Sequence, residues 1–136
     1  MKFAVIVVSL FLSFQSLAQE TKDYSGPGIF TSFVDTISGE VFEGKPFGKN
    51  VTVRKDFFFH KYILAFTDED YKKAVWELKF IRKRKDGGKV MKDHKDELMI
   101  LYDHLEDDKR ITIMMQKPVN GKAVFFELPN LEEAQN

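Results

Sequence analysis

Apolar and polar residues alternate along most of this chain, and the alternation stops at short clusters of Gly, Asn, Asp and Pro. A period of two is the mark of β-strands with one face turned to a core. Ile29 to Ile37 reads as a first strand, broken by Ser38-Gly39. The polar stretch Gln19–Gly28 before it reads as a flexible lead-in, and Gly44 to Asn50, with two glycines and a proline, as a loop. Val51–Arg54 and Phe57–Thr67 are rich in β-branched and aromatic residues, with a turn or bulge at Lys55-Asp56 or His60-Lys61. After the break Asp68-Glu69-Asp70, Val75 to Arg84 fits two templates. As a strand it sets Trp76, Leu78 and Phe80 on one face; as a helix over 69–84, Tyr71, Ala74, Val75, Leu78 and Ile81 form a stripe that leaves Trp76 off it. The strand is preferred because it unites the large rings.

Asp86-Gly87-Gly88-Lys89 and Asn120-Gly121 are hairpin signals, since glycine and asparagine tolerate the positive φ of tight turns. They frame short strands at Val90–Lys92, Glu97–Leu105, Arg110–Lys117 and Ala123–Leu128, with Glu106 to Lys109 as a further turn. Glu97–Leu105 is apolar on both faces. Strands and turns at this spacing predict an all-β fold, a small antiparallel sandwich or partly open barrel of about seven or eight strands. The alternative is an α+β fold with the helix at 69–84. One domain spans 29–130, and Leu131–Asn136 is a short acidic tail.

The first eighteen residues follow another pattern. Lys2, an apolar run from Phe3 to Phe14, and the small residues Ser16 and Ala18 have the order of a secretory signal peptide cleaved after Ala18. The run is shorter than the ~20 residues a bilayer crossing requires, so the processed chain is expected to lack a membrane span and to work in the periplasm or outside the cell. The chain has no cysteine. Small exported domains often rely on disulfides; this one must rely on packing, for which the eleven Phe, four Tyr and one Trp beyond Ala18 supply much apolar area. The same absence excludes thiol catalysis, zinc–cysteine sites and iron–sulfur clusters.

Charge balances overall, with 21 basic and 21 acidic residues, but not locally. Residues 72–95 are strongly basic and residues 96–109 strongly acidic. Lys79, Arg82, Lys83, Arg84, Lys85 and Lys89 surround the Gly87-Gly88 turn. Such a lobe attracts anionic glycans, lipid headgroups or an acidic protein, or it keeps an edge strand soluble. Nucleic acid is a poor partner for an exported chain with balanced charge.

Motifs for chemistry are missing. There is no His-Glu-x-x-His, no calcium-loop pattern, no Gly-x-Ser-x-Gly elbow and no phosphate-binding glycine loop. His94 and His104 each follow an aspartate but stand at opposite ends of one predicted strand, too far apart to share a metal. Asn50-Val51-Thr52 matches a glycosylation acceptor, relevant only in a glycosylating host. No catalytic residue, metal ligand or cofactor is assigned. The triple run Phe57-Phe58-Phe59 must send at least one ring to each face of a strand.

These features favour a binding module for an apolar or amphipathic small molecule, with Phe58, Trp76, Phe80 and Tyr102 as the candidate ligand-binding residues. Lys79, Arg82, Lys83, Arg84 and Lys85 form a candidate anion or partner surface. The general appearance is similar to that of small exported β-proteins with internal pockets, such as lipocalin-like barrels. This is a likeness of class: the Gly-x-Trp signature near the start of that family is missing, Trp76 being the sole tryptophan. Two other readings are an envelope structural or interaction subunit, whose partner would be an envelope protein, and, last, a small hydrolase.

Overall fold

The computed structural model describes residues 21–134; the expected signal segment and its cleavage point lie outside them. Nine strands follow one another: β1 (Thr21–Asp35), β2 (Val41–Asp56), β3 (Lys61–Thr67), β4 (Lys73–Lys83), β5 (Lys89–Lys92), β6 (Leu98–His104), β7 (Arg110–Met115), β8 (Lys122–Leu128) and the two-residue β9 (Glu132–Glu133). Each of the first eight pairs antiparallel with its sequence neighbour, and β8 pairs back to β1. The sheet therefore closes into an eight-stranded up-and-down barrel, which removes the free edges of an open sheet. The all-β reading holds. The segment with two templates is strand β4, paired with β3 from Lys61↔Lys79 to Thr67↔Lys73 and with β5 from Lys79↔Lys92 to Lys83↔Lys89.

Two segments read as irregular are strand. Thr21 to Gly28 belongs to β1 and pairs with β2 from Thr21↔Asp56 to Gly28↔Lys49, so it is no flexible lead-in. Residues 44–50 belong to β2, with register shifts nearby. Their glycines serve close approach rather than a loop. A Cβ on Gly48 would stand 2.4 Å from the Phe66 ring, and one on Gly28 would stand 2.6 Å from the Gly48 carbonyl oxygen. Glycine is what lets the two long strands bend past each other and past an inward ring. Beyond β8, Leu131 of the expected acidic tail is buried, and Tyr24↔Glu133 and Ser25↔Glu132 pair β9 with β1.

Alternation sets the interior. Val51 and Val53 of β2, Tyr62, Leu64 and Phe66 of β3, Leu78 of β4, Met91 of β5, Met99 and Leu101 of β6, Ile111 and Ile113 of β7, and Val124, Phe126 and Leu128 of β8 are all buried in one cluster. Eight strands leave an interior just wide enough for side chains to fill. At one end Phe47, Phe66, Trp76 and Phe126 pack ring against ring, with centroids 5.1–5.7 Å apart. The both-faces-apolar strand, β6, buries Met99 and Leu101 inside the barrel and Ile100 on the outer face against its cross-strand neighbour Val90.

Candidate functional site

The end of the barrel opposite the aromatic cluster is polar. Three inward positions there carry charge: Lys55 continues the Val51, Val53 face of β2, Lys89 precedes Met91 on β5, and Asp103 follows Met99 and Leu101 on β6. Tyr62, inward on β3, joins them. One carboxylate oxygen collects most of the contacts. Asp103 Oδ2 accepts from Lys55 Nζ at 2.7 Å and from Tyr62 Oη at 2.6 Å. Lys89 Nζ donates to Tyr62 Oη at 2.8 Å and stands 3.9 Å from Asp103 Oδ2. The other oxygen, Oδ1, accepts the Leu105 backbone N–H at 3.0 Å.

Burial works against the charged forms here, and hydrogen bonds decide where they prevail. Burial pushes the Asp103 carboxyl up, but the Lys55, Tyr62 and Leu105 donors outweigh it and hold the group below its usual value. Burial, then the hydrogen bond to Asp103, raises the Tyr62 phenol, which stays protonated. Lys89 is lowered, first by burial and then by repulsion from Lys55, with Asp103 only partly offsetting both. The cluster holds two ammonium groups against one carboxylate.

Above it lies an opening of about 160 Å³ lined by Lys55, Asp56, Phe57, His60, Lys61, Tyr62, Phe80 and Lys89. It combines cations below with aromatic rims: Lys55 Nζ lies 5.1 Å from the Phe57 ring centroid, and Lys89 Nζ 5.2 Å from that of Tyr62. Larger concavities, of about 380, 400 and 420 Å³, lie elsewhere on the barrel. The first, lined by Glu77, Lys79, Lys92, Asp93, His94 and Asp96, already pairs Lys92 with Asp96 at 3.2 Å. Size is thus a poor guide, and the smaller opening is the one with half-buried charge to offer.

The four candidate ligand residues do not converge. Trp76 is inside, in the aromatic cluster at the far end. Phe80 lines the mouth. Phe58 stands exposed on the β2–β3 turn, 59% accessible. Tyr102 is on the outer face, its hydroxyl donating to Asp86 at 2.9 Å. The basic candidates do gather: Lys79, Arg82 and Lys83 on β4, Arg84 and Lys85 in the turn to β5. Arg84 pairs with Asp86 at 3.6 Å, while Lys79, Arg82, Lys83 and Lys85 make no ion pair among the described residues. Among the described residues, no group of three or more acidic or histidine side chains could hold a metal ion.

Sequence reasoning overlooked Lys55, Tyr62 and Asp103 as a group. A signal was available: each charge falls in phase with buried apolar residues on its own strand, a position at which charge is costly unless satisfied.

Fold and site together define a closed, side-chain-filled β-barrel with a cationic, aromatic-rimmed mouth. No protein-family model, no curated protein and no solved structure matches the chain.

Proposed function

We propose that this chain is a non-catalytic binding protein that takes a small amphipathic anion at the mouth of its barrel, after export to the periplasm or the cell exterior. The observation that supports this most is the pair of half-buried lysines, Lys55 and Lys89, sharing the single carboxylate of Asp103. An excess ammonium in such a setting is costly, and an anionic head supplies the missing charge. An opening of about 160 Å³ suits a carboxylate, sulfonate or phosphate head rather than a whole ligand. The apolar body then lies along Phe57 and Phe80 at the rim. The packed interior, with Trp76 among Phe47, Phe66 and Phe126, favours the rim over an internal pocket. A second reading, an interaction subunit of the cell envelope, is favoured by the basic residues of the β4–β5 hairpin that have no acid partner among the described residues.

The test is a fluorescence titration with 8-anilinonaphthalene-1-sulfonate, an anionic aromatic amphiphile, beside the neutral N-phenyl-1-naphthylamine. A saturable site is expected for the sulfonate. A charge-assisted hydrogen bond contributes about 1.5–3 kcal/mol, so Lys89→Met and Lys55→Met should each weaken binding roughly tenfold to a hundredfold. Equal binding of the two probes, or a sulfonate affinity untouched by both substitutions, refutes the proposal.

A further inference from the structure

Beside this mouth, at one corner of the barrel, three consecutive phenylalanines form the β2–β3 turn. They are displayed rather than tucked in: Phe57, Phe58 and Phe59 are 40%, 59% and 66% accessible. The turn is braced. Asp56 Oδ1 accepts the backbone N–H groups of Phe58 and Phe59, both at 3.0 Å. The Phe58 and Phe59 rings meet edge to face, with centroids 4.9 Å apart. The Phe80 N–H donates to the His60 carbonyl at 2.8 Å, which ties the turn to β4, where Phe80 and Ile81 are also exposed. Contiguous exposed apolar surface on a small protein marks a contact site.

Cations stand behind the rings. Lys61, Lys79 and Lys92 are direct cross-strand neighbours on β3, β4 and β5. Like charges placed opposite one another destabilise a sheet. Glu77 meets Lys61 at 3.2 Å and Asp96 meets Lys92 at 3.2 Å; among the described residues Lys79 makes no ion pair, although it shares a cleft with Glu77, Asp93 and Asp96, and Arg82, Lys83 and Lys85 further along the same hairpin make none either. An exposed aromatic turn flanked by such cations matches a layer of anionic headgroups over an apolar interior.

We propose that this corner docks the protein on an anionic lipid bilayer, with Phe58 and Phe59 entering the interface and Lys79, Arg82, Lys83 and Lys85 facing headgroup phosphates. Each basic residue near such a surface contributes roughly fivefold to partition, and salt screens the effect within a Debye length. Phe58 and Phe59 do not line the opening at the mouth, whereas Lys83 is the cross-strand neighbour of Lys89, so the aromatic pair is the part of this surface that separates it from the anion site.

The experiment is sedimentation of the full chain with vesicles of phosphatidylcholine alone and with about 30% phosphatidylglycerol added, enough to give the surface the negative potential the lysines would read. The N-terminal apolar segment is common to every variant and meets both kinds of vesicle, so only differences between variants or between vesicle compositions count. Phe58→Ser/Phe59→Ser and Lys79→Gln/Lys83→Gln/Lys85→Gln should each lower partition to the anionic vesicles at least tenfold. Both alter exposed side chains, and unchanged urea unfolding checks that the fold survives. A Phe58→Trp variant adds a local reading: brominated lipid should quench the emission of the introduced indole, while Trp76, inside the barrel, stays unquenched. The double serine variant should keep its affinity for 8-anilinonaphthalene-1-sulfonate, which separates this proposal from the mouth site. Any of four results would overturn it: equal partition of wild type and both multiple variants, no preference for anionic vesicles, no lipid quenching of the Phe58→Trp variant beyond that of wild type, or a stable dimer that buries the turn instead.

Discussion

Replacing Lys89 by methionine should make the barrel more stable and its mouth less able to hold an anion. Methionine keeps the length of the side chain and removes the charge. What is lost is a hydrogen bond to Tyr62 Oη at 2.8 Å and a partly exposed ion pair at 3.9 Å. The first contributes about 1.5 kcal/mol and the second about 0–1 kcal/mol. What is gained is release from burying an ammonium and from the repulsion of Lys55, together with about 1–2 kcal/mol for burying an apolar side chain. The lowered lysine value decides the sign, because it means that the folded surroundings disfavour the charged form as a whole. The unfolded chain holds this proton more tightly than the folded protein does. Wild-type stability should therefore rise as pH climbs from the depressed folded value toward the unfolded value of about 10.4. Urea unfolding at pH 7 should give Lys89→Met an advantage of about 0–1.5 kcal/mol, shrinking as pH climbs through the depressed folded value toward the unfolded one. Opposite changes in stability and affinity are what a residue kept for ligand binding gives. A stability loss above about 1 kcal/mol, with probe binding unchanged, would make Lys89 a structural member of the cluster and refute the reasoning.

Asp103→Asn should cost about 2–4 kcal/mol in urea unfolding, because Lys55 and Lys89 lose their one counter-charge in a half-buried setting. The Asp103 carboxyl is held low in the folded state, so its contribution is complete above about pH 4 and disappears as pH falls through the depressed folded value; the stability gap between variant and wild type should close over that range. Gly48→Ala sets a methyl 2.4 Å from the Phe66 ring, and the clash should lower stability by about 1–3 kcal/mol and disturb Trp76 emission through the shared ring cluster. Thr31→Val removes a buried hydroxyl that has no hydrogen-bond partner, so it should raise stability by about 1 kcal/mol, and an equal loss would point to an unseen partner for Oγ1.

Hydrophobic periodicity alone was enough for the class of fold and most of the strands. Inward positions such as Tyr62, Leu64 and Phe66, or Val124, Phe126 and Leu128, follow a period of two that any reader of the chain can find, because one face of each strand must leave water. Local composition also marked the hairpins, where Asn120 and Gly121 take φ of 53° and 73°. Export, too, was an inference of sequence alone. Closure was not legible: whether the sheet stays open or meets itself depends on β8 pairing back to β1, a contact between strands at opposite ends of the described chain. Nor was the strand character of Thr21–Gly28 and Gly44–Asn50, since Gly and Pro there argue locally for loops and are needed only where two strands cross closely. The site came from tertiary structure for the same reason. Lys55, Lys89 and Asp103 each look like an ordinary charge at a strand end, and only closure of the barrel turns three separate ends toward one mouth. There partial burial and the count of two cations to one anion give them a shared chemistry that none carries alone.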